Sequence, residues 1–146
     1  MKNVEKWNKN ACWVIASVLA DAEDGDVDAQ CAVGERFWFG DLVREDRERA
    51  VYWYTQAAMQ GHSYAQCCLA YAYALGEGVE KKPELAAYWY GRAADAGEEI
   101  GICSLAACYA NGFGVECDPM RAYTLACQVI RHHRIAPRTP EGFDRP

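Results

Sequence analysis

The sequence predicts an all-α protein: an α-α superhelix, or right-handed α-solenoid, of three 36-residue helix-turn-helix repeats behind one N-terminal capping helix. Three observations carry this. The stretch YWYTQAAMQGHSYAQ, Tyr52–Gln66, returns 36 residues later as YWYGRAADAGEEIGI, Tyr88–Ile102. Glycines keep that interval, with Gly25, Gly61 and Gly97 in one register and Gly40, Gly76 and Gly112 in another. Between them, small and aromatic residues fall at helical spacing. A fixed period of this length marks stacked supersecondary units.

The capping helix is expected over residues 3–23. Ala11, Val14, Ile15, Val18, Leu19 and Ala22 form a continuous apolar stripe at i, i+3, i+4, i+7, i+8 and i+11. The stretch from Asn10 to Ala22 occupies the register of a second repeat helix. Its lysines and apolar run also fit a signal peptide over residues 1–22, which would mean export. The repeats then run over residues 25–60, 61–96 and 97–132. In each, a first helix (A) carries residues such as Ala65, Leu69, Ala72 and Tyr73, and stops at a glycine loop, GEGV in the middle copy. Glycine enters the left-handed backbone of a helix end without penalty. The second helix (B) restarts at Pro83 and Pro119, which suit a first helical turn. Asp46 and Asp118 can cap the free amides there. B helices end before Gly61 and Gly97. Leu42 stands where the later copies have Gly78 and Gly114, so that loop either takes another path or accepts strain. Residues 137–146, with Pro137, Pro140 and Pro146, read as an extended or disordered tail.

The bulk numbers narrow the function. The chain has 146 residues, half of them apolar and a quarter charged, with a net charge of −6. An acidic chain does not offer the basic face of a nucleic-acid binder or of a protein drawn to anionic membranes. No apolar run approaches the ~18 residues of a membrane span. The glycines of GEGV and GFGV are helix ends and not a phosphate loop, and no HExxH or nucleophile-elbow spacing occurs. No catalytic residue, metal site or cofactor is therefore expected.

Within this frame Gly61–Gly97, GHSYAQCCLAYAYALGEGVEKKPELAAYWYGRAADAG, resembles the Sel1-like repeat family, a relative of the tetratricopeptide repeats. The shared features are A-x-x-x-L-x-x-x-Y on helix A, G-x-G-V in the loop, and A-x-x-W-Y then A-A-x-x-G on helix B. The likeness covers about Asp24 to Ile130. It implies a scaffold or adaptor whose A helices line a concave face. A cysteine-rich branch of that family staples neighbouring helices through cysteines eight residues apart across the inter-unit glycine. Here those positions hold Ala58 and Gln66, and Ala94 and Ile102, so the staple is absent.

Eight cysteines remain to be placed. Cys31, Cys67 and Cys103 share one repeat position. Layers sit roughly 10 Å apart, beyond the ~7 Å Cα separation of a disulfide. They read as small buried hydrophobes in a reducing cytoplasm. His132 and His133 close the last helix, where positive charge suits the helix dipole.

By matching position, the resemblance turns a row of A-helix side chains inward. The partner-binding candidates are Asp28, Glu35, Trp38, Phe39, Tyr64, Tyr71, Leu75 and Asn111. Trp38, Phe39 and Tyr71 exceed what the repeat demands and suggest an aromatic groove with acids at one end. The expected function is a cytoplasmic, non-catalytic protein-interaction module for a protein or peptide partner, able to self-associate through a terminal repeat. Two other readings fit the same residues: an immunity protein that neutralises a toxin, and a thiol protein that binds a metal or small molecule.

Overall fold

A computed structural model describes residues 9–135; the expected tail at 137–146 and the start of the capping helix lie outside them. Seven helices follow one another in this range: α1 Lys9–Glu23, α2 Val27–Phe39, α3 Arg47–Met59, α4 Ser63–Leu75, α5 Pro83–Asp95, α6 Glu99–Asn111 and α7 Pro119–Ile135. Each packs on the next, and α4 also touches α6. The A helices are α2, α4 and α6; the B helices are α3, α5 and α7, with α1 placed as a B helix in front. The result is an α-solenoid.

The helix limits follow from local chemistry. The carboxylates of Asp46 and Asp118 accept from the amides of Arg49 at 3.1 Å and Arg121 at 3.0 Å. Pro83 opens α5 and Pro119 opens α7. Each B helix that leads into another unit ends in the same paired bonds: His62 N–H donates to Ala57 O at 3.1 Å and Gly61 N–H to Ala58 O at 3.1 Å, and Glu98 and Gly97 repeat the pattern on Ala93 and Ala94. Each loop closes alike, with the amides of Asp46, Lys82 and Asp118 donating to the carbonyls of Phe37, Tyr73 and Tyr109.

Alanine sets the spacing of the layers. Ala50, Ala57, Ala58, Ala65, Ala70, Ala72, Ala86 and Ala93 are all fully buried. Gly101 takes this further: a Cβ there would stand 2.7 Å from Ala93 Cβ and 2.9 Å from Ala94 N. It is therefore a close contact that only glycine allows α6 to make.

The missing cysteine staple has a replacement. Gln66 Nε2 donates to Ala58 O at 3.1 Å, across the inter-unit turn. Gln30 makes the same bond to Ala22 O at 3.1 Å. Gln30 also accepts from Gln60 Nε2 at 2.7 Å. Gln66 has no such donor, because Ala96 holds the position equivalent to Gln60, and its buried Oε1 is unpaired.

Leu42 keeps the loop path and takes the strain, with φ of 64° against 72° at Gly78 and 69° at Gly114. The later glycines answer a second demand. A Cβ at Gly78 would lie 2.3 Å from Arg47 O, and one at Gly114 2.0 Å from Pro83 O. These loops press on the first turn of the preceding B helix, whereas Leu42 is exposed.

Three outcomes are expected from urea unfolding. Leu42→Gly leaves stability within about 1 kcal/mol, as relief of strain offsets the added freedom of the unfolded chain, while Gly78→Ala costs about 2–4 kcal/mol, because backbone must move. Ala96→Gln supplies the donor that Gln66 lacks and raises stability by about 1 kcal/mol; an unchanged midpoint would refute the glutamine account.

Candidate functional site

Most positions expected to face inward are exposed positions of the A helices α2, α4 and α6. Phe39 at the end of α2 is 70 % exposed. Tyr71 and Leu75 on α4 are about half exposed, Tyr64 opens the same helix, and Ile100 continues the row onto α6. Three registers generate the surface: Asp28, Tyr64 and Ile100 at the helix starts, Glu35, Tyr71 and Ala107 in the middle, and Phe39, Leu75 and Asn111 at the ends.

Trp38 corrects the expected groove. Its side chain is buried and cannot anchor a partner. The ring lies 6.2 Å from Tyr54 and 6.1 Å from Tyr71, centroid to centroid. The Arg47 guanidinium covers it at 4.2 Å. Arg47 also pairs with Glu45 at 2.9 Å and with Glu77 at 3.2 Å, so it joins the start of α3 to the loop after α4. Trp38 is thus a joint between the first two units, with Tyr71 as one of its walls. The signal in the sequence is a paired departure: Trp38 faces Ala74 and Ala110 in register, and Arg47 faces Pro83 and Pro119.

The acids have assigned partners. His62 caps α4: its Nδ1 accepts from Ala65 N–H at 3.1 Å, so the proton sits on Nε2. Nε2 faces Asp28 Oδ1 at 3.2 Å. Sequence reasoning missed His62, although it shares the cap position of Asp26, whose carboxylate accepts from Ala29 N–H at 2.7 Å. Glu35 lies beside Tyr64 and Cys68. The Tyr64 hydroxyl is pushed well above the usual phenol range, first by the nearby Cys68, then by burial and by its hydrogen bond with Glu35. Asn111 is exposed, and its amide donates to Ala107 O of its own helix at 3.0 Å. The face therefore holds apolar anchors over an acidic margin at Asp28 and Glu35.

The thiols divide. Cys31, Cys67 and Cys108 are buried, Cys68 and Cys127 are half-buried, and Cys103 and Cys117 are exposed. Burial, then the neighbouring Cys68 and acids, push Cys31 up to about 12. Burial, then Glu98 and Cys68, do the same to Cys67. Cys103 shares their register but is exposed, since no A helix follows α7 among the described residues, so the expectation of a buried thiol fails there. Among the described residues no group of three or more metal-ligating side chains converges, and no helix is long and apolar enough to cross a membrane.

The model of the Sel1 repeat matches residues 27–62, 63–98 and 101–128. The chain belongs to the Sel1 repeat family. Sel1 repeat proteins are generally non-catalytic scaffolds for protein interaction. The chain is similar to a solved Sel1 repeat protein of Oxalobacter formigenes, with 32 % identity over 80 % of this chain and 88 % of that one and a TM-score of 0.72. It is 33 % identical to a protective antigen present in uropathogenic Escherichia coli strains, which displays the same repeat fold, with a TM-score of 0.78 over 81 % of this chain. It spans only a quarter of that antigen's length. Helicobacter pylori cysteine rich protein B, at 19 % identity, covers 81 % of this chain and 90 % of its own with a TM-score of 0.63, and shares the fold. No curated protein matches.

Thiol chemistry tests the Sel1 layers. At pH 8 Cys103 and Cys117 should alkylate at the rate of free thiols, while Cys31 and Cys67, protonated up to about 12, react only through unfolding. An unfolded thiol ionises near 9. These two groups therefore add stability that is complete below pH 9 and falls away between pH 9 and about 12. Site-resolved mass spectrometry and unfolding at rising pH read the two effects. Equal labelling of all described cysteines would contradict the burial.

Proposed function

We propose that this chain is a non-catalytic adaptor that holds a partner protein through the concave face of its A helices. The observation that carries the reading is the apolar row Phe39, Tyr71, Leu75, Tyr64 and Ile100, exposed on consecutive A helices at matching repeat positions. Exposed aromatic and aliphatic residues clustered on a concave surface are what binding hot spots are made of. Phe39 and Leu75 share a register, and so do Tyr64 and Ile100, so the row presents anchors one layer apart. That spacing of roughly 10 Å suits an amphipathic helix or an extended segment lying across the A helices. The acids Asp28 and Glu35 at the first unit favour a partner with basic residues at that end.

The test is a partner capture by the wild-type chain beside a Phe39→Ser, Leu75→Ser double variant, followed by titration of the captured protein. Both residues are exposed and outside the Trp38 joint, so circular dichroism and melting should be unchanged. Loss of two such anchors is expected to weaken binding by about 100-fold or more. A partner held equally by both chains would remove the concave face from consideration.

A further inference from the structure

Two stretches of the array are equivalent by register, the first bounded by α3, α4 and α5 and the second by α5, α6 and α7. In the first, Val51 is buried against Leu69, and Tyr73 and Val79 pack on the same cluster. Thr55 folds over its own helix, its hydroxyl donating to Val51 O at 2.7 Å. The opposite wall carries Leu85 in register. In the second the register holds Ala87 for Val51, Gly91 for Thr55, Arg92 for Gln56 and Arg121 for Leu85. The result is an open groove of about 410 Å³.

Gly91 has no structural explanation. It sits in the middle of α5, its backbone is ordinary helix, and a Cβ there would meet nothing within 4 Å. Glycine weakens a helix interior. What it provides is an open floor. The walls are furnished rather than bare. The Arg121 guanidinium rests 4.9 Å above the Tyr109 ring. Arg92 donates to Tyr88 Oη at 3.0 Å. Among the described residues neither guanidinium has a carboxylate within ion-pair distance, although Glu84 and Asp95 also line the groove. Two positioned, unpaired guanidiniums on a chain of net charge −6 mark a local site for an anion. Tyr88, Tyr109 and Leu105 offer it flat apolar contact, and the volume falls in the range of small-ligand sites.

We propose that the groove between α5 and α7 is a second binding site, separate from the concave face, for a ligand that carries a carboxylate on a flat apolar body. The carboxylate sits on Arg92 and Arg121, and the body lies on Ala87 and Gly91. Such a group is met as a free aryl acid or as the C-terminus of a chain ending in an aromatic residue.

The test uses the full chain labelled with ¹⁵N and three probes: 3-phenylpropionate, N-acetylphenylalanine and its uncharged amide. Both acids should shift the amides of Gly91 and Arg92 saturably, with a Kd on the order of 1 mM. The amide should bind about tenfold or more weaker. Gly91→Thr, which copies the first stretch, should abolish binding while raising the melting temperature, because it fills the floor and strengthens the helix. Arg121→Gln should weaken the acids about tenfold. Tighter binding of N-acetylphenylalanine than of 3-phenylpropionate would identify a chain terminus as the source, and the reverse a free acid; both support the site. The proposal is overturned if the acids give no saturable shift up to about 20 mM, or if Gly91→Thr binds them as the wild type does. Neither result bears on the concave face.

Discussion

The array depends on how closely its helices approach, and alanine sets that distance. A buried methyl by itself yields about 0.8 kcal/mol, so the eight fully buried alanines are not where most of the apolar area lies. Their role is geometric. They let helix backbones come near enough for rings to close the space: Tyr54 and Tyr90 become buried, and Tyr73 and Trp89 reach both halves of the core. Units of a solenoid contact only their neighbours, so a larger residue at Ala57 or Ala93 would displace everything beyond it. Gly101 shows that the tolerance has already reached zero at the last joint, where even one Cβ does not fit.

Since the period repeats the alanines, it also repeats the constraints around them, and these were legible in the sequence. The helix limits were readable because capping is local. Asp46, Asp118, Pro83 and the inter-unit glycines act on backbone within three residues of themselves. The sequence was less informative wherever residues of different register meet. Trp38 stood on the inner face by helical position, yet Arg47 and Tyr71 from two other elements close over it. Cys103 shared the register of Cys31 and Cys67, yet it is exposed, with no further A helix among the described residues to cover it. A register argument describes a unit in the middle of the stack and has no information about the end. The exposed row at Phe39, Tyr71 and Leu75 was found because it rests on the same inward positions, while His62 and the outer groove were not, since no motif marks them.

The first joint carries more cross-links than the second. Arg47 ties α3 to the following loop, Gln66 donates back to Ala58 O, and His62 reaches back to Asp28. At the second joint Ile102 stands in the register of Gln66 and offers no side-chain hydrogen bond, although Ser63 reaches forward to Glu98 at 3.2 Å. The strained Leu42 lies in the unit with the most support, which is where a left-handed leucine is best tolerated. Strain and reinforcement are thus found together, as expected when a local departure persists only because its surroundings fix it.

A departure from the repeat therefore has two possible meanings, and packing separates them. Trp38 and Arg47 break the period and find each other, and Gln60 breaks it and finds Gln30, so their reason is internal. Phe39 and Leu75 break it toward solvent, and Gly91 breaks it toward empty space. Arg92 breaks it with charge that no carboxylate among the described residues answers, while Arg121 repeats Arg49 but has no ion pair like that of Arg49 with Asp46. In a repeat whose buried positions are so closely fixed, side chains that leave the pattern without an internal partner are the ones free to serve a ligand. On that criterion Phe39 and Leu75 on the A helices and Gly91 and Arg92 in the α5–α7 groove are among the departures free to meet a ligand.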